Sequence, residues 1–303
     1  MIERMGTQDA RRRKQELLAR SIAKGDMVTA SRLLGVSGRS RPKPRLPEPL
    51  SLAKACRGSE AAVQTPAGPR VCYRIRRTLR EVSPEGGGIA REYSAVLRGA
   101  RQRFDDDTAL GASAGLCHAA DGGPEDLLFV DVETAQRGGG GVWLLGTMRY
   151  VGEQFLFEQH LARDDCEEPA LLSAFADRYG EARVLVTFRG RPSAMKVLRE
   201  RSAAHDIVLP RRGASHLDLR REARRRWRED VPNVRLETLE FALCGRRRPG
   251  RVARAEIPAA YRHFRATGDA RRIGEILHHS RLDLLTMAQL VVAVLAGCGP
   301  AVE

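Results

Sequence analysis

Apolar residues run unbroken through Leu127, Leu128, Phe129 and Val130, meet Asp131-Val132-Glu133, and resume from Val142 to Leu145 after a glycine-rich turn at 138–141. A short apolar run bounded by turn residues predicts a strand buried on both faces. Val184 to Phe188 predicts a second strand of this kind. A period of two marks further strands: Val71, Tyr73 and Ile75 alternate with Cys72, Arg74 and Arg76, and 141–149 pairs with 154–160, where Phe155, Phe157 and Gln159 alternate. Helical spacing of apolar residues predicts helices over 8–24, 27–34, 50–57, 91–98, 167–179, 193–203, 217–227 and about 270–295. Four prolines interleaved with Arg39, Arg41, Lys43 and Arg45 predict an extended, self-repelling linker over 37–49. Residues 101–124 are polar and rich in glycine and alanine, and read as an irregular connection.

The same spacings assign faces. In 217–227 the stripe Leu219, Ala223, Trp227 falls at i, i+4, i+8, which places Trp227 in the core rather than on a base. Arg220, Arg224 and Arg228 form a second stripe, with Arg221 and Arg225 beside it. That face either tracks phosphates or is simply solvated. Arg246, Arg247, Arg248, Arg251 and Arg254 add a cationic loop. Asp131 and Glu133 are two apart on a strand, so their carboxylates leave one face. Either they open a solvated turn or a divalent cation relieves their repulsion, Mg²⁺ and Mn²⁺ being the oxygen-preferring choices. On the last helix His279 and Asp283 stand about 40° apart around the axis, while His278 points elsewhere. They are a hydrogen-bonded surface pair, or the base and third carboxylate of a metal-dependent phosphodiester hydrolase.

Charge narrows the partner class. Of 303 residues, 52 are Lys or Arg and 38 are Asp or Glu, a net charge of +14. This excess points to a polyanion, nucleic acid first and an anionic membrane surface second, the latter through the basic helix at 8–24. With 42% hydrophobic and 30% charged residues and no run of apolar residues long enough to span a bilayer, integral membrane association is not expected. The N-terminal stretch lacks the apolar segment of a signal peptide, so the expected location is cytoplasmic. Six cysteines without a Cys-x-x-Cys pairing imply free thiols.

The order of several motifs resembles the YprB-type ribonuclease H-like family, relatives of the DEDD 3′–5′ exonucleases. The matching stretches are Leu128 to Thr134 with its glycine-rich turn, Leu185-Val186-Thr187-Phe188-x-Gly190, His216 to Leu219, Arg225-Arg226-Trp227, Leu236-x-x-Leu239-Glu240, Ile257-Pro258-x-x-Tyr261, Thr267-Gly268-Asp269 and His279-x-x-x-Asp283. Residues 50–80 also look like the short region that precedes the nuclease-like domain in some members. The resemblance implies an α/β, RNase H-like fold: a mixed central sheet with helices on both faces, Asp131 and Glu133 on its central strand, and Asp283 delivered by the last helix. It further implies Mg²⁺ or Mn²⁺ on Asp131, Glu133 and Asp283, with His279 as general base. The family's second motif departs. Ala194 stands where the fourth acidic ligand is expected, Arg189 where Asn is and Ser193 where Phe is, and Ser280 replaces the Asn that follows the histidine of the last motif. Asp218 reads as part of a strand-to-helix junction.

The expected organisation is a basic helical segment at 1–36, a linker at 37–49, a small α+β region with its connection at 50–124, and the RNase H-like domain at 125–297. The expected function is binding of RNA or single-stranded DNA, with metal-dependent 3′–5′ exonuclease activity from an incomplete acidic site. The alternative is a catalytically inactive nucleic-acid-binding module. Arg189 and Arg191, brought towards the site by the altered second motif, join Arg220, Arg224 and Arg228 as candidate phosphate contacts.

Overall fold

The computed structural model describes residues 48–103, 112–136, 139–188, 194–210, 215–248 and 252–297, together with Gly299 and several positions between 12 and 23. The described positions between 12 and 23 are helical, as expected, and Leu17 is exposed. The predicted helix at 27–34 and most of the linker lie outside the described residues, as do Arg189 and Arg191. Two compact units are present, Met1–Glu48 and Pro49–Glu303, and the second carries the sheet and all the candidate site residues.

The elements of this second unit in chain order are α1 (Leu52–Ala55), β1 (Ser59–Thr65), β2 (Gly68–Thr78), α2 (Leu79–Val82), α3 (Gly87–Arg103), α4 (Ala114–Asp121), β3 (Leu127–Gln136), β4 (Gly139–Val151), β5 (Gln154–Leu161), α5 (Glu168–Glu181), β6 (Val184–Thr187), α6 (Met195–Ala204), β7 (Ser215–Asp218), α7 (Leu219–Trp227), α8 (Leu236–Cys244), α9 (Ile257–Thr267) and α10 (Arg271–Ala296). The strands form one seven-stranded sheet in the order β1-β2-β5-β4-β3-β6-β7. β1, β2, β5, β4 and β3 run antiparallel to their neighbours, whereas β6 and β7 continue parallel to β3. The sheet is therefore mixed, with helices on both faces, and is an RNase H-like α/β fold.

β3 is buried on both sides, as its apolar run requires. Leu127 and Phe129 join one core with α3, α4, α7, α8 and the second half of α10, whereas Leu128 and Val130 join the other with α5, α6, α9 and the first half of α10. α10 thus ties the two cores together. It is long and apolar enough to cross a membrane by length and composition, although the sequence offers no uninterrupted apolar run. Its apolar residues from Ile276 to Leu295 are instead buried in the protein.

Several expectations change. The stretch 101–124 is not irregular throughout: α3 runs on to Arg103, and α4 is capped by Ser113, whose Oγ accepts from the Leu116 amide at 3.3 Å. α4 packs so closely on β7 that a Cβ at Gly115 would stand 2.6 Å from the His216 carbonyl carbon. The helix expected over 217–227 begins only at Leu219. Asp218 ends β7 and caps α7 by accepting from the Arg220 amide at 3.0 Å, the junction its sequence context implies. β1 and β2 belong to the same sheet as β3.

Candidate functional site

Cross-strand register places the acidic pair. Asp131 lies opposite Gly146 and Glu133 opposite Leu144, and the register then shifts between Glu133 and Thr134. Such an irregularity ends regular pairing just past the two carboxylates. α10 crosses this face of the sheet. A Cβ on Gly146 would approach Ser280 Oγ to 3.0 Å and Leu284 Cδ1 to 3.4 Å, so a glycine opposite Asp131 is what lets the helix lie so close. Gln159, paired with Gly146 on the next strand, fixes the crossing. Its Nε2 donates to Leu277 O at 2.9 Å and its Oε1 accepts from Arg281 Nη1 at 2.7 Å. His279 and Asp283 flank Ser280 on α10, so the helix carries Asp283 over the strand that bears Asp131 and Glu133.

The cationic stretch after α8 does not behave as one solvated loop. Arg248 is turned inward, its side chain only 6% exposed, with Nη1 donating to Asp283 Oδ1 at 2.6 Å and Nη2 to Glu240 Oε1 at 2.8 Å. Further bonds reach His279 O at 3.2 Å and Thr286 Oγ1 at 3.1 Å. Arg246 supports the same network, donating to Glu240 Oε1 at 2.9 Å and Gln289 Oε1 at 2.6 Å. Arg247, between them, lies over the Phe241 ring at 4.2 Å. Burial opposes the charge of Arg248, yet Asp283 and Glu240 outweigh it and hold its pKa above the ordinary value.

Arg254 completes the arrangement. Its Nη2 stands 3.6 Å from Asp283 Oδ2. Burial again works against the cation, but the fields of Asp131, Asp283, Glu133 and Glu237, in that order, raise its pKa. Of the three carboxylates singled out in the sequence, Asp283 meets this guanidinium directly, and Asp131 and Glu133 act on it through their fields.

A divalent metal does not fit this donor set as it stands. Among the described residues no three His, Cys, Asp or Glu side chains are grouped to hold an ion. Both carboxylate oxygens of Asp283 face arginines. Ala194, at the start of α6, offers a methyl group where the fourth carboxylate is expected. A metal would have to share these oxygens with guanidinium groups of like sign.

The second candidate region is lined by none of these carboxylates. Arg220, Arg224 and Arg228 do share one face, and with Asn233, Val234 and Arg235 they line a cavity of about 550 Å³. Trp227 is buried beneath, as the spacing predicts. The other two arginines of the helix's last turn are neutralised locally: buried Glu222 accepts from Arg226 Nη1 at 2.7 Å and also from Arg225. Among the described residues no carboxylate lies within ion-pair distance of Arg220, Arg224 or Arg235, and the buried Nε of Arg220 has no hydrogen-bond partner. Arg235 and Asn233 escape a reading of the sequence because they follow the helix and enter the cavity only through the turn after it. Arg248 escapes because nothing in a run of three arginines marks which one turns inward.

Comparison with known proteins adds two findings. Residues 128–295 match the sequence profile of the RNase_H superfamily. A 175-residue stretch is 30% identical to the uncharacterized protein YprB of Bacillus subtilis (strain 168), covering 55% of this chain and 41% of that relative. The chain thus spans less than half the length of the relative it matches.

Proposed function

Because the chain belongs to the RNase_H superfamily over residues 128–295, we propose that it binds RNA or single-stranded DNA through the arginine-lined cavity of α7. The observation that carries this reading is that Arg220, Arg224 and Arg235 line that cavity with no carboxylate at ion-pair distance among the described residues, whereas Arg228 is shared with Glu229 at 3.0 Å. Successive members of the Arg220, Arg224, Arg228 stripe rise about 6 Å along the helix, so the row extends roughly 12 Å. Planar guanidinium forks grip phosphate oxygens bidentately and read no base edge, which makes the contact independent of sequence. Arg189 and Arg191 remain part of this proposal as further phosphate contacts. A cytoplasmic setting suits five described cysteines that form no disulfide.

A second reading, metal-dependent 3′–5′ exonuclease activity with Asp131, Glu133 and Asp283 on Mg²⁺ or Mn²⁺ and His279 as base, draws on the Asp131 and Glu133 pair of β3 and on α10, which packs against Gly146 opposite Asp131. The arginine contacts of Asp283 and the methyl of Ala194 weigh against it, and the inactive binding module is favoured.

One experiment addresses both. Binding of labelled single-stranded RNA and DNA is measured against salt in EDTA, then hydrolysis is followed with Mg²⁺ or Mn²⁺, with Asp131→Ala as control. Binding should persist in EDTA. Changing Arg220, Arg224 and Arg228 together to Gln should flatten the log K against log salt slope by about 2 for a single strand. An unchanged slope would sink the mapping, and hydrolysis abolished by Asp131→Ala would establish the second reading.

A further inference from the structure

The acidic centre poses a question that nucleic-acid binding does not answer: what balances its charge. The side chain of Asp283 on α10 is only 8% exposed, and an ionised carboxylate so buried needs a cation beside it. The chain supplies its own. Arg248 reaches Asp283 from within the protein and is fixed there by Glu240, Thr286 and the His279 carbonyl. Arg254 reaches the other oxygen of Asp283 from the solvent side, with 42% of its side chain exposed, and stands in the fields of Asp131 and Glu133.

We propose that Arg248 and Arg254 are the resident counter-cations of Asp283 and occupy the role that a divalent ion would otherwise take on its two oxygens, beside Asp131 and Glu133 on β3. Arg248 is the permanent member, because its fork is shared between Asp283 and a second buried acid, Glu240. Arg254 is the exchangeable one, since it is half-exposed and meets Asp283 at 3.6 Å rather than at hydrogen-bond distance. The site thereby becomes a salt-bridged joint between α8, the arginines that follow it and α10.

The test is a Mn²⁺ titration of the full chain without nucleic acid, following the electron paramagnetic resonance signal of the free aqueous ion. It therefore succeeds or fails independently of the nucleic-acid reading. The unaltered chain should take up less than one Mn²⁺ at about 1 mM, in the weak range for oxygen-ligand sites. The double variant Arg254→Gln, Ala194→Asp removes the exchangeable cation and restores a donor. It should bind Mn²⁺ at least about tenfold more tightly, with the gain lost on adding Asp131→Asn. Binding by the unaltered chain at tens of micromolar, lost in Asp131→Asn, overturns the proposal, and so does the absence of any gain in the double variant. The titration of the unaltered chain decides by itself should the variant fail to fold.

Discussion

Replacing Arg248 with methionine should be among the most damaging single changes, because it removes a cation held between two buried acids and leaves the packing volume nearly intact. The side chains of Glu240 and Asp283 are 2% and 8% exposed, and each lies within 3 Å of the Arg248 guanidinium. Breaking a buried ion pair by removing one partner costs about 3–5 kcal/mol, since the stranded charge keeps its desolvation penalty. Relief here is partial. Glu240 retains Arg246 Nη1 at 2.9 Å and Thr286 Oγ1 at 3.0 Å, and Asp283 retains Arg254 at 3.6 Å. The expected loss is therefore at the lower end, about 3 kcal/mol. Urea unfolding followed by tryptophan fluorescence measures it, because Trp143 and Trp227 are buried in the two different cores. The neighbouring Arg247→Ala is the control: its guanidinium sits over an exposed Phe241, and such a contact contributes about 0.5–1 kcal/mol. A loss below about 1 kcal/mol for Arg248→Met, or equal losses for both arginines, would refute the argument that burial of the two acids sets the magnitude.

Two further outcomes come from the fold. Burial pushes His160 down to about 4, against the pull of Glu158, so the unfolded chain binds a proton between about 6.5 and 4 that the folded one refuses. Stability should fall by about 3 kcal/mol as pH is lowered through that window, and His160→Gln should flatten the dependence of melting temperature on pH there. Deleting residues 1–48 should leave the melting temperature of the remainder nearly unchanged, because the proline- and arginine-rich stretch at 37–49 offers few apolar residues to a core. Extending the cut to residue 58 should lower it sharply, since the Leu50 carbonyl holds the Ala270 amide at 2.8 Å and the Cys56 carbonyl holds the Tyr73 hydroxyl at 2.8 Å.

Legibility of the fold in the sequence tracks the reach of each signal. β3 and α10 are readable because their apolar periods are local and long. β1 is not, because only Ala61 is buried in it, with Val63 half-buried, and its existence depends on pairing with β2 rather than on its own pattern. α4 reads as an irregular connection for the very reason that it is a helix against a strand: Gly115, Ala119 and Ala120 are small so that the backbone of β7 can come close. At the site, the acidic pair and the His279, Asp283 pair are visible as spacings. Their counter-cations are not, although the apolar α8 carries one clue in Glu240. A carboxylate among core leucines demands a partner, and the nearest supply is the arginine run just beyond that helix.

The net charge of +14 likewise says that a polyanion is attractive but not where it would bind, because several partly exposed arginines are already paired with carboxylates of the protein. Glu158 draws in Arg74, Arg76 and Arg178. Glu168 takes Arg201, and Arg163 lies between Glu60 and Glu167. Most of these pairs cross between elements, so they act as charged joints in a fold whose buried acids would otherwise be stranded. A phosphate competing for such an arginine would have to leave a carboxylate unpaired, and the cost of doing so makes these groups poor binding sites. Arg220, Arg224 and Arg235 carry no such penalty, and they surround one cavity. Affinity for nucleic acid should therefore depend on these few guanidinium groups rather than on the total charge of the chain.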